Sequence, residues 1–456
     1  MQIKTLIVPG LIALASSTAF GFSNGAPVMR TGAEVDGGLD CTACHRTFAP
    51  ANSDPRGKLW ITTLADYKPG VKQTVKVQIQ HPEANRWGYQ LTARLASNPA
   101  RKAGTFTAVA NVTRVQCAGG APEGNCGDNL EFAEQTQPAS FAGQGGGASW
   151  EIEWTPPAAG SGDVIFYFAG NAANNSNSNA GDYIYTRSAK IGEDGACNLT
   201  DTPRITGLQN GASFWPGPVS FNSIVAVFGT GFQRAGGTSN GGEYLNDQTF
   251  PKKAGCVAVE VNGTRAPIAY AQFNQINAQL PTNTPQTGST QVRVIANPGQ
   301  TNERRSDPFT IQVASAAPGF FRLLPTPCIA AIKVDTGEIS GDPSLLDFAK
   351  PSKAGDVVSL FATGLGATDP IWQAGEIAEG PSRAAGNITL EFNGQPVDRA
   401  NILYIGLVPG AISGLYQINM RIPNSNIRPN AHNELRIRIG TDILSPEGST
   451  LYIAPN

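Results

Sequence analysis

The sequence predicts an all-β protein built from several β-sandwiches. Its 456 residues include 52 glycines and 33 prolines, and only 15% of the residues are charged. Short segments with alternating polar and apolar residues recur between turn-forming residues, which is typical of sandwiches. Long tracts of helix-forming residues are missing, so the composition does not favour a helical or coiled-coil protein. At roughly 100–200 residues per domain, the length predicts about two to four domains.

The charge balance and the motifs that are missing exclude several classes of function. The chain has 33 basic and 35 acidic side chains, which gives no electrostatic basis for binding nucleic acid or an anionic membrane. It has no Walker loop and no dinucleotide-binding glycine motif after a strand, and neither of the histidines outside the Cys-x-x-Cys-His motif described below lies in a nucleophile-elbow sequence. We therefore expect a protein that is not an enzyme and does not bind nucleic acid.

Residues 1–21 are predicted to be a secretory signal peptide. Lys4 precedes an apolar run at residues 6–15, and residues 19–21 fit a small-x-small cleavage site. The run is too short to span a bilayer of about 30 Å, although an uncleaved N-terminal anchor is the alternative. We expect a mature chain that begins near Phe22, has no transmembrane segment, and is periplasmic, secreted or on the cell surface.

The seven cysteines are expected to form disulfides or to attach a cofactor, because the protein is predicted to be exported. Cys117 and Cys126 flank a glycine-rich loop, so we predict a local disulfide between them. Cys197, Cys256 and Cys328 form an odd set whose pairing the sequence leaves open. A Cys256–Cys328 bond would connect two parts of the C-terminal half.

The most informative motif is Cys41-Thr-Ala-Cys44-His45, the attachment sequence of c-type haem. In this chemistry the two thiols add to the porphyrin vinyl groups, and the histidine becomes the axial ligand of the iron. A thioredoxin-type pair expects a strand-to-helix setting, whereas these flanks resemble loops. A zinc knuckle needs a second ligand pair, and a disulfide at this spacing is strained. The sequence thus predicts one covalently attached haem c.

His81 is the favoured second axial ligand of that iron. It continues the apolar phase of an alternating segment that contains Val75, Val77 and Ile79, so it is expected to point towards the covered side of a strand. A hydrogen-bonded histidine at a strand end is the alternative assignment for His81. Met29, in a glycine-rich arm, and an open sixth position are the other possibilities for the iron. His432 is expected in an exposed loop, and Met420 in a repeated core strand.

Residues 22–192 are predicted to form the haem-binding domain. After a start with little regular pattern, strands are predicted at residues 74–80, 89–95, 106–112, 149–154, 164–169 and 183–189. Trp150, Ile152 and Trp154 share one face and are expected in the core. The asparagine-rich residues 171–179 are expected to form a solvated loop, with Asp182 as the one carboxylate near it.

This half resembles the reeler (reelin N-terminal) domain, also described in bacteria as a choice-of-anchor V domain. The resemblance depends on the Cys-x-x-Cys-His motif after a glycine-rich lead, on residues 67–70 and 87–93, and on IFYFAGNAANNSNSNAGDYIYT near the end. It covers about residues 25–190. It implies a β-sandwich, which many bacterial members combine with a single Cys-x-x-Cys-His motif.

After a linker at residues 193–202, the chain contains an internal repeat at residues 203–330 and 331–456. SIVAVFGTG at residues 223–231 is echoed by DVVSLFATG at 356–364, and QINAQLP at 275–281 by QINMRIP at 417–423. Each copy combines alternating strands with Asn-Gly turns, which predicts tandem Ig-like sandwiches. About residues 203–453 resemble the C-terminal β domain of many secreted proteins of soil bacteria, whose function is not established. The resemblance implies a TIG-like fold.

Two functions follow from these features. The first is a monohaem c-type cytochrome-like protein that transfers electrons, in which the Ig-like sandwiches serve for docking or spacing and the redox partner is unknown. The second is an extracellular adhesion or matrix protein, in which Cys41 and Cys44 are structural and the partner is a surface protein.

Overall fold

The computed structural model describes residues 25–64, 66–233 and 237–454, and their regular structure is almost entirely β. The all-β prediction is therefore confirmed, whereas the predicted signal peptide lies outside the described residues. The helices are short 3-10 turns at Glu34–Asp36, Cys41–Ala43, Ala118–Gly120, Pro138–Ser140, Gly241–Tyr244 and Arg399–Asn401. None of the helices in the described ranges has the length and apolar character needed to cross a membrane.

The chain divides into two compact units. The first unit comprises the residues up to Thr62 together with Lys72–Pro157 and Ile165–Ser188, and the second comprises Thr63–Val71, Ala158–Val164 and Ala189–Asn456. The residues predicted as one haem-binding domain, 22–192, thus contribute to both units.

The strands up to residue 193 are β1 (Lys58–Thr62), β2 (Asp66–Tyr67), β3 (Gln73–His81), β4 (Arg86–Leu95), β5 (Asn98–Lys102), β6 (Thr105–Thr107), β7 (Thr113–Cys117), β8 (Glu131–Gln135), β9 (Gly146–Thr155), β10 (Val164–Ala173) and β11 (Tyr183–Glu193). In the first unit one sheet has the order β1-β3-β9-β6. The other sheet has the order β11-β10-β4-β8-β7, with β5 paired to β4. In the second unit, β2 pairs in parallel with the end of β11.

Alternation along β3 and β9 forms the core of the first unit. Val75, Val77 and Ile79 are at most 1% exposed, and so are Trp150, Ile152 and Trp154 on the antiparallel neighbour. Both sets of apolar side chains are buried on the same face of their sheet, as a period of two residues predicts. His81 is the last buried position of β3, so its predicted inward direction is confirmed.

The second unit contains two successive two-sheet sandwiches. The strands of the first are β12 (Arg204–Asn210), β13 (Val219–Ser220), β14 (Ile224–Thr230), β15 (Thr238–Asn240), β16 (Val257–Val261), β17 (Thr264–Ala266), β18 (Ile268–Gln272), β19 (Gln275–Gln279), β20 (Gly288–Ala296), β21 (Arg304–Arg305) and β22 (Phe309–Ala314). Its sheets have the orders β12-β14-β19-β18-β15 and β13-β22-β20-β16-β17, with β21 paired to β20.

The strands of the second sandwich are β23 (Gly319–Phe320), β24 (Ala331–Lys333), β25 (Val357–Thr363), β26 (Thr368–Asp369), β27 (Arg383–Ala384), β28 (Ile388–Phe392), β29 (Gln395–Pro396), β30 (Ile402–Leu407), β31 (Tyr416–Arg421), β32 (Ala431–Ile439), β33 (Ile443–Leu444) and β34 (Thr450–Ile453). Its sheets have the orders β23-β25-β31-β30-β27-β26 and β29-β28-β32-β33, with β24 paired to β25 and β34 to β32.

The two sandwiches share one pattern of strand pairing. The neighbours β14-β19-β18 of the first sandwich correspond to β25-β31-β30 of the second, and β17-β16-β20 correspond to β29-β28-β32. Even an irregularity in register recurs, between Ile268 and Tyr270 and between Ile402 and Tyr404. Met420 on β31 is fully buried, as the repeat predicted.

Two disulfides are formed. The predicted Cys117–Cys126 bond is confirmed, and Cys197 pairs with Cys256, which settles the pairing that the sequence left open. Cys328 is a buried free thiol, so the considered Cys256–Cys328 bond is not present. The second bond lies in the second unit and attaches residues predicted as a linker to the first of its sandwiches.

Candidate functional site

The Cys-x-x-Cys-His motif begins with a 3-10 turn at Cys41–Ala43, where the sequence suggested a loop. The Asp40 carboxylate caps the turn by accepting hydrogen bonds from the Thr42 backbone N (2.6 Å) and from Thr42 Oγ1 (2.5 Å). The backbone N atoms of Cys44 and His45 both donate to the carbonyl of Cys41, at 3.1 and 2.9 Å. Cys41, Cys44 and His45 all line one small cavity.

A buried carboxylate orients the imidazole of His45. His45 Nδ1 lies 2.7 Å from Asp182 Oδ2, and the Asp182 side chain is only 2% exposed. The other carboxylate oxygen accepts a hydrogen bond from the Asn174 backbone N at 3.1 Å, so the carboxylate itself is fixed. With the Nδ1 proton directed to Asp182, Nε2 is the nitrogen left with a lone pair. A histidine that ligates a metal through Nε2 is commonly held in this way.

Two cavities of the first unit meet at His45. The smaller, of about 60 Å³, is lined by all three motif residues and by Ala26, Pro27, Arg30, Asp40, Gly88, Tyr89, Gln135 and Asn171. The larger, of about 270 Å³, shares His45, Gly88, Gln135 and Asn171 with it and continues along the asparagine-rich segment. The motif therefore opens onto a concave surface.

The two thiols of the motif are free and differ in exposure. Cys44 is exposed, whereas Cys41 is half-buried, and its Sγ lies 3.8 Å from the Arg30 carbonyl oxygen. Burial, together with the nearby Asp40 and Cys44, raises the pKa of the Cys41 thiol to about 12. A redox-active pair needs a thiol with a lowered pKa, so this environment does not favour the thioredoxin-type interpretation.

The residues around the motif fit the chemistry of a covalently bound haem. Cys41, Cys44 and the oriented His45 line the same cavity, and the side chains around them carry buried polar atoms that have no partner among the described residues, namely Tyr89 Oη, Arg30 Nε and Asn171 Oδ1. Each cavity is smaller than the roughly 300–1,000 Å³ of pockets that enclose whole ligands. A macrocycle held by these thiols is therefore not enclosed by the surrounding side chains as they stand.

His81 is not among the described residues that line either cavity. Its side chain is fully buried, its Nδ1 accepts a hydrogen bond from the Glu83 backbone N at 3.2 Å, and its Nε2 lies 3.4 Å from Asp54 Oδ2. Its ring also stacks on Tyr183, with 4.2 Å between centroids. These contacts are those of a satisfied histidine at a strand end, the alternative to a ligand, and the role of His81 as an axial ligand stays a prediction.

The other candidates considered from the sequence lie elsewhere. Met29 has a left-handed backbone (φ 63°) and is not among the described residues lining either cavity. The prediction of an exposed loop around His432 was wrong: His432 lies on β32, where its ring nitrogens face Thr450 Oγ1 at 2.9 Å and Asp342 Oδ2 at 3.1 Å. It belongs to the second unit.

Two residues at His45, Asn171 and Asp182, were not predicted from the sequence to belong to the site. Asn171 was expected in a solvated loop, but β10 continues to Ala173 and brings Asn171 Nδ2 within 3.5 Å of His45 Nε2. The available signal was the alternation of β10 itself, which continues from Phe168 through the buried Gly170 and Ala172. Asp182 was considered only as the one carboxylate near the predicted loop, and no sequence pattern connects it to a residue 137 positions away.

Within the described residues, no group of three or more His, Cys, Asp or Glu side chains is placed to hold a metal ion directly. The chain matches no family model and no curated protein significantly.

Proposed function

We propose that this protein is an exported monohaem c-type cytochrome-like protein with a role in electron transfer. One haem would be attached through Cys41 and Cys44, with His45 as its proximal ligand. The observation that carries the proposal is the oriented His45, whose Nδ1 is held by Asp182 and which lines one small cavity together with Cys41 and Cys44. The resemblance of the first half to bacterial reeler domains with one such motif supports the same conclusion.

The protein residues have three tasks in this proposal. When bound, the haem supplies a one-electron redox centre. The Cys41–Ala43 turn holds the two thiols at the attachment spacing, and Asp182 fixes the tautomer and direction of His45. The side chains around the two cavities would set the polarity near the iron, and through it the reduction potential.

The tandem sandwiches of the second unit would provide docking or spacing. Within that unit they are tied together by polar contacts: Gln279 Nε2 donates to Ser413 Oγ (3.2 Å), and Gly375 N donates to Gln279 Oε1 (2.7 Å). Such contacts support a stiff pair of sandwiches. Export is supported by the two disulfides, which form in oxidising compartments. The proposal includes a redox partner or a surface protein partner, and it does not identify either one.

The decisive experiment is intact-mass spectrometry of protein exported by a host with haem-attachment machinery. We expect the mass of one macrocycle on the polypeptide, and a Soret band that survives acid-acetone extraction. The Cys41→Ser/Cys44→Ser variant should lose both signals, whereas the control Cys328→Ala, which removes the free thiol of the second unit, should keep them. A wild-type mass without an added group would refute the cytochrome function and favour the adhesion alternative, in which the two cysteines are structural.

A second comparison concerns the axial ligands. His45→Ala should abolish a low-spin spectrum while the second unit stays folded. If His81 is the distal ligand, its ring has to exchange its contacts with Asp54 and Glu83, and His81→Ala should convert the iron to high spin. An unchanged spectrum in that variant would assign the sixth position to another donor or leave it open.

A further inference from the structure

Two side chains that line the smaller cavity carry buried hydrogen-bond donors without an acceptor among the described residues. Tyr89 Oη and Arg30 Nε are both buried, and neither has a partner among the described residues. An unpaired buried donor costs about 1–3 kcal/mol, so such groups in a cavity indicate a ligand or water that accepts from them. Both side chains line the same cavity as Cys41, Cys44 and His45.

Tyr89 is held rigidly in this position. The residue is 4% exposed, its ring lies 4.7 Å from that of Trp150 in a stacked arrangement, and its backbone N donates to Gln135 Oε1 at 2.8 Å. Stacking on Trp150 and burial of the residue keep the phenol from turning towards solvent to find an acceptor. The acceptor must therefore enter the cavity.

Arg30 brings a positive charge to the same place. Its backbone N donates to Gln90 Oε1 at 2.7 Å, and its Nη1 donates to the Met29 carbonyl at 3.0 Å, so the residue is anchored while Nε stays unpaired. The ion pairs found in the described residues do not include Arg30. Asp40 is the one carboxylate lining the cavity, and its Oδ1 already accepts two hydrogen bonds from Thr42.

We propose that Arg30 and Tyr89 bind a propionate carboxylate of the haem that Cys41 and Cys44 hold; the inference rests on the proposed function. Propionates are the anionic, acceptor-rich substituents of haem, and a guanidinium with a phenol is a suitable donor pair for a carboxylate. The cavity of about 60 Å³ admits a carboxylate or a few water molecules but not a porphyrin ring.

The test is a redox titration of the attached haem in wild type, Arg30→Gln, Arg30→Lys and Tyr89→Phe, with the exposed Arg101→Gln as the matched control. Without its donors the propionate keeps more negative charge, which favours ferric iron. At a fixed ambient potential, Arg30→Gln should lower the ratio of reduced to oxidised protein about tenfold. This corresponds to a fall of about 59 mV in the reduction potential of the haem. Tyr89→Phe should lower it about threefold, Arg30→Lys should restore part of the loss, and Arg101→Gln should have no effect.

Tyr89→Phe separates a contact from a long-range charge effect, because it removes a hydrogen bond and no charge. A wild-type potential in this variant would overturn the proposal, even if Arg30→Gln shifts the potential. Equal potentials in all variants would also overturn the proposal, because Arg30 and Tyr89 would then donate only to water. A wild-type protein without haem would instead refute the proposed function, and the mass spectrum distinguishes that case before any titration.

Discussion

Glu134 on β8 is expected to make the stability of the first unit depend on pH. The residue is fully buried; its carboxylate lies 2.8 Å from Arg114 Nη2 and accepts a hydrogen bond from Gln90 Nε2 at 3.3 Å. Burial raises the pKa of this carboxyl to about 7, although Arg114 acts in the opposite direction. The folded protein therefore holds a proton here that the unfolded chain releases near pH 4.5.

The size of the effect follows from the two pKa values. Between pH 4.5 and about 7 the folded state binds more protons than the unfolded state, so the free energy of unfolding falls as pH rises. At 1.36 kcal/mol per pH unit, the difference amounts to about 3 kcal/mol. The stabilisation is present below pH 4.5 and is lost as pH rises through about 7.

The assay compares wild type with Glu134→Gln, which resembles the protonated carboxyl at every pH. Hydrogen exchange followed by mass spectrometry, at pH 4 and pH 8, gives the opening free energy of peptides from β3 and β4, separately from the second unit. Relative to the variant, wild type should lose about 3 kcal/mol between these two pH values. The exposed Glu151→Gln serves as control and should keep the wild-type dependence. If Glu134→Gln and wild type lose stability in parallel, the carboxyl is not responsible.

Three further predictions concern the site and the framework. Asp182→Asn should leave haem attachment intact but broaden the orientation of His45, seen as heterogeneous axial-ligand signals in electron paramagnetic resonance; one sharp signal identical to wild type would contradict the orienting role. Replacing Cys197 and Cys256 by serine opens a loop with a sequence separation of 59 and should lower the free energy of unfolding of the second unit by about 4 kcal/mol in urea titrations, whereas a loss below about 1 kcal/mol would contradict it. Gly104→Ala should destabilise the first unit by more than about 2 kcal/mol, because φ is 73° and a Cβ would lie 2.2 Å from a backbone oxygen of β9; a wild-type melting temperature would contradict it.

The sequence predicted the parts of the fold in which local pattern and burial agree. The alternation in β3 is such a case, and so is the repeat, in which two similar stretches form equivalent strand pairs. β1 was missed because the apolar residues around Trp60 stand in a segment rich in Gly, Asp and Pro, and their pairing partner on β3 comes later in the chain. The division into two units depends on contacts across the chain, which local patterns do not contain.

The candidate site was predictable only where covalent chemistry fixes the spacing. Cys41, Cys44 and His45 form one short sequence motif. Asp182 and Tyr89 are distant from it in sequence, and only the folded sandwich brings them close to it. The sequence favoured His81 as a ligand because the alternation of β3 directs its side chain inwards, and this direction is correct. The direction alone does not specify which residues surround the buried ring. In the structure those neighbours are Asp54 and Tyr183. Tyr183 directly follows Asp182, the residue that binds His45.

The bond between His45 and Asp182 also has a consequence for the order of assembly. The motif emerges early in synthesis, but its orienting carboxylate is made 137 residues later, after nearly every strand of the first unit. An N-terminal fragment with both thiols and the imidazole would thus carry the attachment sequence without a defined ring direction. Only a chain in which β11, which begins directly after Asp182, has paired with its sheet holds that carboxylate where it can bind Nδ1.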